Sequence, residues 1–84
     1  MEGGKGLEAT LGNYLLGLRQ AKGFTSTGLS LLAQVSRATL YNWETGKSLP
    51  RMQELEAVLR ALQASKAEKE HALALLPAHA QKSV

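Results

Sequence analysis

Four residues within one short stretch carry side chains that can recognise the edges of nucleic-acid bases. Arg37 offers a planar fork of N–H donors, and the amide of Asn42 offers both a donor and an acceptor. Ala38 adds a methyl group, and Tyr41 adds a phenol. Because residues three and four apart are neighbours on a helix, these side chains would share its outer face. The pattern is typical of a helix that enters the major groove of DNA.

Each of these positions predicts its own contact. The Arg37 fork fits the O6 and N7 acceptors of guanine, a match worth about 1–3 kcal/mol of discrimination, and Asn42 fits the N6 and N7 edge of adenine. The Ala38 methyl group can meet a thymine methyl group, and Tyr41 can reach a base edge or a phosphate. The ordinary alternatives are a solvated Arg37 and a half-buried Tyr41.

Residues around this stretch are suited to contacts with phosphates, which position a protein on DNA without reading its sequence. Lys47 and Arg51 follow the stretch, although Lys47 can equally serve solubility alone. Ser26 lies at the start of a preceding helix, where free backbone amides attract anions. Ser36 and Thr39 lie in the first turn of the recognition helix, the part that such motifs insert into the groove. We therefore count all five among the DNA-binding residues.

Periodic apolar residues predict the helices that hold these side chains in place. Helix 1 is expected from about Thr10 to Lys22, where apolar residues recur at helical spacing and Gly23 ends the pattern. Gly12 and Gly17 weaken this helix by about 1 kcal/mol each relative to alanine. Its apolar stripe consists of Leu11, Tyr14, Leu15 and Leu18.

Two short helices joined by a tight turn follow. Helix 2 is expected over residues 25–33, with Thr25 or Ser26 as its N-cap. Helix 3, the recognition helix, is expected over residues 36–45, with Ser36 as its N-cap. We expect Trp43 to lie in the core rather than to serve as a stacking platform. The predicted inward-facing residues are Leu29, Leu32 and Ala33 in helix 2, and Leu40 and Trp43 in helix 3, beside the turn residue Val35.

Two further helices complete the pattern. Helix 4 is expected from about Arg51 to Gln63, after a break at Leu49-Pro50. Helix 5 is expected to begin at a capping box over residues 65–68 and to end before Pro77. Their apolar stripes are Leu55, Val58, Leu59 and Leu62 in helix 4, and Ala72, Leu73, Leu75 and Leu76 in helix 5.

These elements predict an all-α fold, a compact bundle of five short helices in which helices 2 and 3 form a helix-turn-helix. The domain organisation follows from the same boundaries. It comprises a flexible N-terminus at residues 1–9, a helix-turn-helix DNA-binding domain at 10–64, a fifth helix with a possible role in dimerisation at 65–77, and a flexible tail at 78–84.

The chain resembles the lambda-repressor-like, Cro-type (XRE-like) helix-turn-helix family. The resemblance covers about residues 11 to 62, and the co-occurrence of its segments at the right spacing is specific. The matching segments are Leu11-Gly12, Leu15 and Leu18-Arg19 in helix 1, Gly23-Phe24-Thr25 before helix 2, and Ser36, Thr39-Leu40, Trp43-Glu44, Gly46-Lys47 and Pro50 around helix 3. The resemblance implies the fold described above and base-reading roles for Arg37, Ala38 and Asn42.

The resemblance also implies a partly buried ion pair between Arg19 and Glu44, which would tie helix 1 to the end of helix 3. The chain departs from the family's pattern at several positions. Ser26 stands where glutamine is common, so its reach to a phosphate is shorter. Ser30 stands in place of alanine, and its hydroxyl then needs a partner. Gln34 stands in place of the turn glycine, where a side chain at positive φ costs about 1–2 kcal/mol.

Composition and charge agree with a small nucleic-acid-binding domain. The chain has 84 residues, 44% of them hydrophobic, a net charge of +3 and a pI of about 9.5. Residues 17–51 hold five basic residues against one acidic residue, so the positive excess lies in the helix-turn-helix region. No apolar run approaches the roughly 20 residues of a membrane span, and no leader pattern is present. The expected location is the cytoplasm, at the nucleoid when the protein is DNA-bound.

The same composition argues against an enzyme, a metal site and a bound cofactor. The chain contains no cysteine and no aspartate, and its two histidines are best explained as surface residues. They are His71, in helix 5, and His79, in the tail. The glycines at residues 3–6 lack the strand and helix context of a phosphate-binding loop. We therefore expect no catalytic residues, no cofactor and no metal.

Double-stranded DNA is the predicted partner, bound sequence-specifically by a transcriptional regulator of repressor type. A monomer that touches about 4–5 phosphates would bind weakly at physiological salt, so a homodimer or a place in a longer regulator is also expected. The alternative is a protein-interaction module of the same fold, such as an antitoxin or co-regulator that docks through helix 5. Basic residues on the recognition side favour DNA, and Arg51 stands where the family commonly has a small capping residue.

Overall fold

The computed structural model describes residues 6–77, with side chains from Thr10 onward. This part of the chain contains five helices and no strand, which confirms the predicted all-α bundle. The helices are α1 (Gly6–Ala21), α2 (Ser26–Ala33), α3 (Arg37–Glu44), α4 (Met52–Ala61) and α5 (Lys66–Leu75). The predicted flexible tail at 78–84, and residues 1–5 of the predicted flexible N-terminus, lie outside the described residues.

The first helix begins earlier than predicted, and the second begins where predicted. α1 begins at Gly6, four residues before the expected start at Thr10. α2 is capped by Thr25 rather than by Ser26, since the Thr25 hydroxyl accepts a hydrogen bond from the Gly28 N–H at 2.9 Å. This bond satisfies one of the backbone donors left free at a helix start.

Side-chain caps also fix the starts of α3 and α5. Ser36 caps α3 as predicted, and its hydroxyl accepts the Thr39 N–H at 3.0 Å. The predicted capping box opens α5. The Glu68 carboxylate accepts the Ser65 N–H at 2.9 Å, and the Ser65 hydroxyl accepts the Glu68 N–H at 3.1 Å.

Four of the five described helices end in the same backbone turn. One or two residues after the end of each of these helices, a residue adopts a left-handed conformation, and its N–H and the next N–H bond back to carbonyls of the last turn. These residues are Gly23, Gln34, Gly46 and Gln63, with φ of 80°, 62°, 82° and 56°. Gln34 therefore forms the turn between α2 and α3 in the conformation that a glycine would adopt, with local strain of about 1–2 kcal/mol.

The core lies between all five helices and follows most of the predicted stripes. Every stripe residue of α4 is buried, and Trp43 is only 3% exposed, which confirms its place in the core. In α5, Ala72 and Leu76 are buried, while Leu73 and Leu75 are half-buried and pack against the core. Burial of each large aliphatic side chain contributes about 1.5–3 kcal/mol relative to exposure, so this core stabilises the bundle.

The prediction that Leu32 faces inward is wrong. Leu32 is 61% exposed and its neighbour Leu31 is 73% exposed, whereas Leu29, Ser30 and Ala33 are buried. The buried strip of α2 is centred on its small residues, so the two leucines are left on the outer side. The Ser30 hydroxyl finds the partner it needs, because it donates to the Thr27 carbonyl at 2.9 Å.

α1 packs against α3 at Gly12, a residue without a side chain. A Cβ atom added to Gly12 would lie 2.7 Å from the Glu44 carbonyl oxygen and even nearer that of Trp43. Neither oxygen can move aside, since both belong to the backbone. A Cβ atom at Gly17 would meet nothing within 4 Å. Gly12 therefore lets the two helices approach, whereas Gly17 has no such function.

Candidate nucleic-acid interface

α3, the predicted recognition helix, has a buried side and an outer side. Leu40, Trp43 and Glu44 lie on the buried side. The predicted base-reading residues lie on the other: Arg37, Ala38 and Tyr41 are exposed, and Asn42 is half-buried. Tyr41 is 58% exposed, so it is a surface residue. The alternative interpretation of Tyr41 as a half-buried residue is therefore wrong. The structure thus brings these side chains to one surface of a helix that the core holds from behind.

Arg37 makes a contact that the sequence did not predict. Its Nη1 donates to the Thr27 hydroxyl of α2 at 3.2 Å. The contact depends on how α2 and α3 cross, so neither spacing nor periodicity could indicate it. This single bond leaves most of the donors of the guanidinium fork for a ligand.

A shallow groove opens between the start of α2 and the outer side of α3. Its lining consists of Arg19, Ser26, Arg37, Ala38, Tyr41 and Glu44. Ser26 is the first residue of α2, so the backbone donors of this helix start lie beside Arg37. An anion in the groove would meet both a helix N-terminus and an arginine.

An ion pair holds the end of α3 against α1. The Arg19 Nε lies 2.7 Å from the Glu44 Oε2, and the Arg19 Nη2 lies 3.2 Å from the Oε1. A third bond runs from the Arg19 Nη1 to the Phe24 carbonyl at 3.2 Å. The two charged side chains are 14% and 7% exposed, so removing either would strand a shielded charge at a cost of about 3–5 kcal/mol. The pair also neutralises the only carboxylate on α3.

Two further cations lie beyond α3. The Lys47 Nζ lies 5.8 Å from the centroid of the Tyr41 ring, within the range of a cation–π interaction. Arg51 is the N-cap residue of α4, and its side chain makes no capping hydrogen bond. Both residues are exposed. Lys47, Arg51 and Arg37 take no part in the ion pairs between described residues. Three positive charges of the described chain therefore lack an acidic partner.

Ser36 and Thr39 are tied to each other at the start of α3. The Ser36 hydroxyl donates to the Thr39 hydroxyl oxygen at 2.9 Å while it accepts the Thr39 N–H. The two residues therefore hold the first turn in shape. The hydroxyl hydrogen of Thr39 is left to donate outward.

A family model described as a helix-turn-helix domain matches residues 10–72. The matched region contains α2, α3, α4 and every residue predicted to bind DNA. Comparison with curated proteins and comparison with solved structures returned no match. No described helix is long and apolar enough to cross a membrane, and the described side chains, those of residues 10–77, include no group of three His, Cys, Asp or Glu residues that could hold a metal ion.

Proposed function

Because the chain belongs to the helix-turn-helix domain family, a family of DNA-binding domains, we propose that it reads a specific sequence of double-stranded DNA for a transcriptional regulator. We further propose that it acts as a repressor by occupying an operator. One observation carries the proposal. The outer side of α3 presents Arg37 with hydrogen-bonding and apolar neighbours, while Glu44, the acidic residue of this helix, is neutralised by Arg19.

In the proposed complex, α3 lies in the major groove. Arg37 donates to guanine and Asn42 pairs with the edge of adenine. Ala38 contacts a thymine methyl group, and Tyr41 reaches a base edge or a phosphate. Buried contacts hold the opposite side of the helix, so these side chains meet the bases from a fixed support.

Phosphate contacts would flank the base-reading residues. Lys47 and Arg51 would bind the backbone beyond α3, and the start of α2 at Ser26 would bind it on the other side. Ser36 and Thr39 would hold the inserted turn and add a hydroxyl donor. A small set of contacts gives weak binding at physiological salt, so the proposal includes a homodimer or a longer regulator. It also implies a cytoplasmic location, with the protein associated with the nucleoid when it is bound to DNA.

Selection of bound duplexes from a randomised pool tests the assignment of base-reading residues. We expect the wild type to enrich a motif, and Arg37→Ala and Asn42→Ala each to lose preference at one base, by about 1–3 kcal/mol. Gln20→Ala is the matched control, since Gln20 is an exposed amide on α1. Preferences that are unchanged in both variants would refute the assignment, and no motif at all would refute sequence-specific binding.

The alternative function, docking of a protein through helix 5, has no observation in its favour. The apolar side of α5 packs on its own chain through Ala72, Leu73 and Leu76. The exposed positions of this helix are largely polar: Lys66, Ala67, Lys69, Glu70, His71 and Ala74. We also propose no catalytic role, in keeping with the usual part of helix-turn-helix domains as binding modules.

A further inference from the structure

The largest exposed apolar side chains outside the recognition helix lie together on α2. Leu31 is 73% exposed and Leu32 is 61% exposed. Leu32 lines a groove between α2 and α4, together with Ala33, Gln34, Ala57, Arg60 and Ala61. We call Leu31, Leu32, Ala57, Arg60 and Ala61 the α2–α4 face. Neighbouring exposed leucines beside a groove of small residues are typical of a surface that a protein covers.

Two opposite charges border the α2–α4 face one helical turn apart. Arg60 lies in the groove itself, and Glu56 lines the adjoining depression on the other side of Arg60. Neither side chain forms an ion pair with any other described residue. If a second α4 helix lay antiparallel to the first, each of these charges would face its opposite. The charge pattern is therefore complementary to itself.

We propose that the α2–α4 face is a two-fold interface between two copies of this chain, with their α4 helices antiparallel. Arg60 of each copy would meet Glu56 of the other, as in any interface in which the same patch serves both subunits. Ala57 and Ala61 would let the α4 helices approach closely. Leu31 and Leu32 would then be removed from water at the edges of the contact.

This assignment moves the dimer contact away from helix 5, where the sequence placed it. The apolar side of α5 is already occupied by the core of its own chain, as the burial of Ala72 and Leu76 shows. The molecule measures 30 × 30 × 23 Å, so one face reaches only the low end of stable interfaces, which bury about 800 Å² per partner. We expect a weak dimer with a dissociation constant of about micromolar order.

Sedimentation equilibrium of the whole chain without DNA, over about 1–500 µM, tests the interface because that range spans such a weak association. Leu32→Glu should raise the dissociation constant at least about tenfold, since it buries a charge in the contact. Ala74→Glu, at an exposed position of α5, is the matched control and should leave it unchanged. Circular dichroism of each variant would establish that the fold is retained.

A charge swap tests the antiparallel arrangement. Glu56→Arg or Arg60→Glu alone would place like charges opposite each other and weaken the dimer. The double variant should restore the wild-type dissociation constant. A wild type that is still monomeric at the highest concentration would overturn the interface. So would a dimer that Ala74→Glu disrupts and Leu32→Glu does not. If the double variant associates no more tightly than either single variant, the antiparallel arrangement of the two α4 helices is wrong. Because no DNA is present, none of these outcomes bears on DNA reading.

Discussion

At the scale of single residues, two glycines of the same helix have opposite effects. Gly12 lies against the backbone of α3, where a methyl group would collide with the carbonyl oxygens of Trp43 and Glu44. Gly17 is exposed and faces open space. Both carry the same intrinsic penalty in a helix, so only packing distinguishes them.

The two glycines therefore predict opposite changes in the free energy of unfolding. Gly12→Ala should destabilise the protein by about 1–3 kcal/mol, because the rigid backbone must shift to admit the methyl group. Gly17→Ala should stabilise it by about 1 kcal/mol, because alanine favours the helix and meets nothing. Urea denaturation of the two variants and the wild type measures both effects. A neutral or stabilising Gly12→Ala would contradict the close approach of α1 and α3.

The residues that sequence analysis placed correctly are those whose role is local or strongly apolar. Ser36 is an N-cap because of the residues next to it, and Trp43 is buried because few other places suit so large a ring. Gly12, Thr27 and Leu32 behave differently. Their roles depend on how two helices cross, and the spacing of residues along one helix contains no information on that crossing.

At the scale of helices and turns, the start of α4 combines two requirements that conflict. The Arg51 N–H donates to the Glu54 carboxylate at 2.7 Å, which is one half of a capping box. The other half is absent, because an arginine side chain has no acceptor to offer. A serine at this position would complete the box, but it would remove a cation from the candidate interface.

Arg51→Ser should therefore raise stability and weaken DNA binding at the same time. We expect a gain of about 1 kcal/mol in the free energy of unfolding from the added cap. Arg51→Ala separates the two effects, since it loses the cation without gaining an acceptor. Thermal unfolding and duplex binding of both variants provide the measurement. DNA affinity equal to that of the wild type in both would remove Arg51 from the phosphate contacts.

The junction of α1 and α5 should make stability depend on pH. The Lys22 Nζ lies 3.1 Å from the Glu68 Oε1, and the Tyr14 and His71 rings lie 4.5 Å apart between centroids. The hydrogen bond from the Ser65 backbone, followed by the bond from Lys22, lowers the pKa of Glu68 below its ordinary value of 4.5. Stability from this carboxylate is thus present above the unfolded-state pKa and is lost as pH falls through the folded-state pKa.

A comparison of melting temperatures checks this dependence. Glu68→Gln should melt below the wild type at pH 7, and the difference should shrink as the pH falls below the ordinary glutamate range. Glu70→Gln is a matched control on the exposed side of the same helix. A difference that stays constant down to strong acid would show that the ionised carboxylate does not stabilise the junction.

Helix boundaries were largely predictable because caps are local. Thr25, Ser36 and Ser65 each satisfy backbone donors within three residues, so their side chains identify the helix starts from sequence alone. The start of α1 was predicted too late, because the glycines near it have low helix propensity. The left-handed turn at Gln63 was not predicted either, since glutamine is not a residue that usually adopts positive φ.

At the scale of the whole molecule, the proposed function predicts a definite response to salt. If Lys47 contacts a phosphate, Lys47→Ala should weaken binding to all duplexes alike and lower the slope of log affinity against log salt by about 1. Lys66→Ala, at an exposed position of α5, should leave the slope unchanged. A titration at several salt concentrations measures both. Equal slopes for Lys47→Ala and the wild type would remove Lys47 from the phosphate contacts.

The fold class and the position of α3 were predictable because the apolar periodicity of each helix follows from which residues face the core. The surface was less so. Nothing in the spacing of residues indicated that Leu31 and Leu32 would be exposed together, or that α5 would use its apolar side within its own chain. Surface properties of this kind arise from the assembled bundle.

The division of α3 into two sides has a consequence for how such a protein can evolve or be redesigned. Its position is held by Leu40, Trp43 and the Glu44 pair with Arg19, all on the inner side. Arg37, Ala38 and Asn42 are not among the buried residues of this helix. If these outer residues read DNA as proposed, substitutions among them can retarget the domain to another operator while its folded state persists, and new specificities are then reachable by single steps through stable intermediates.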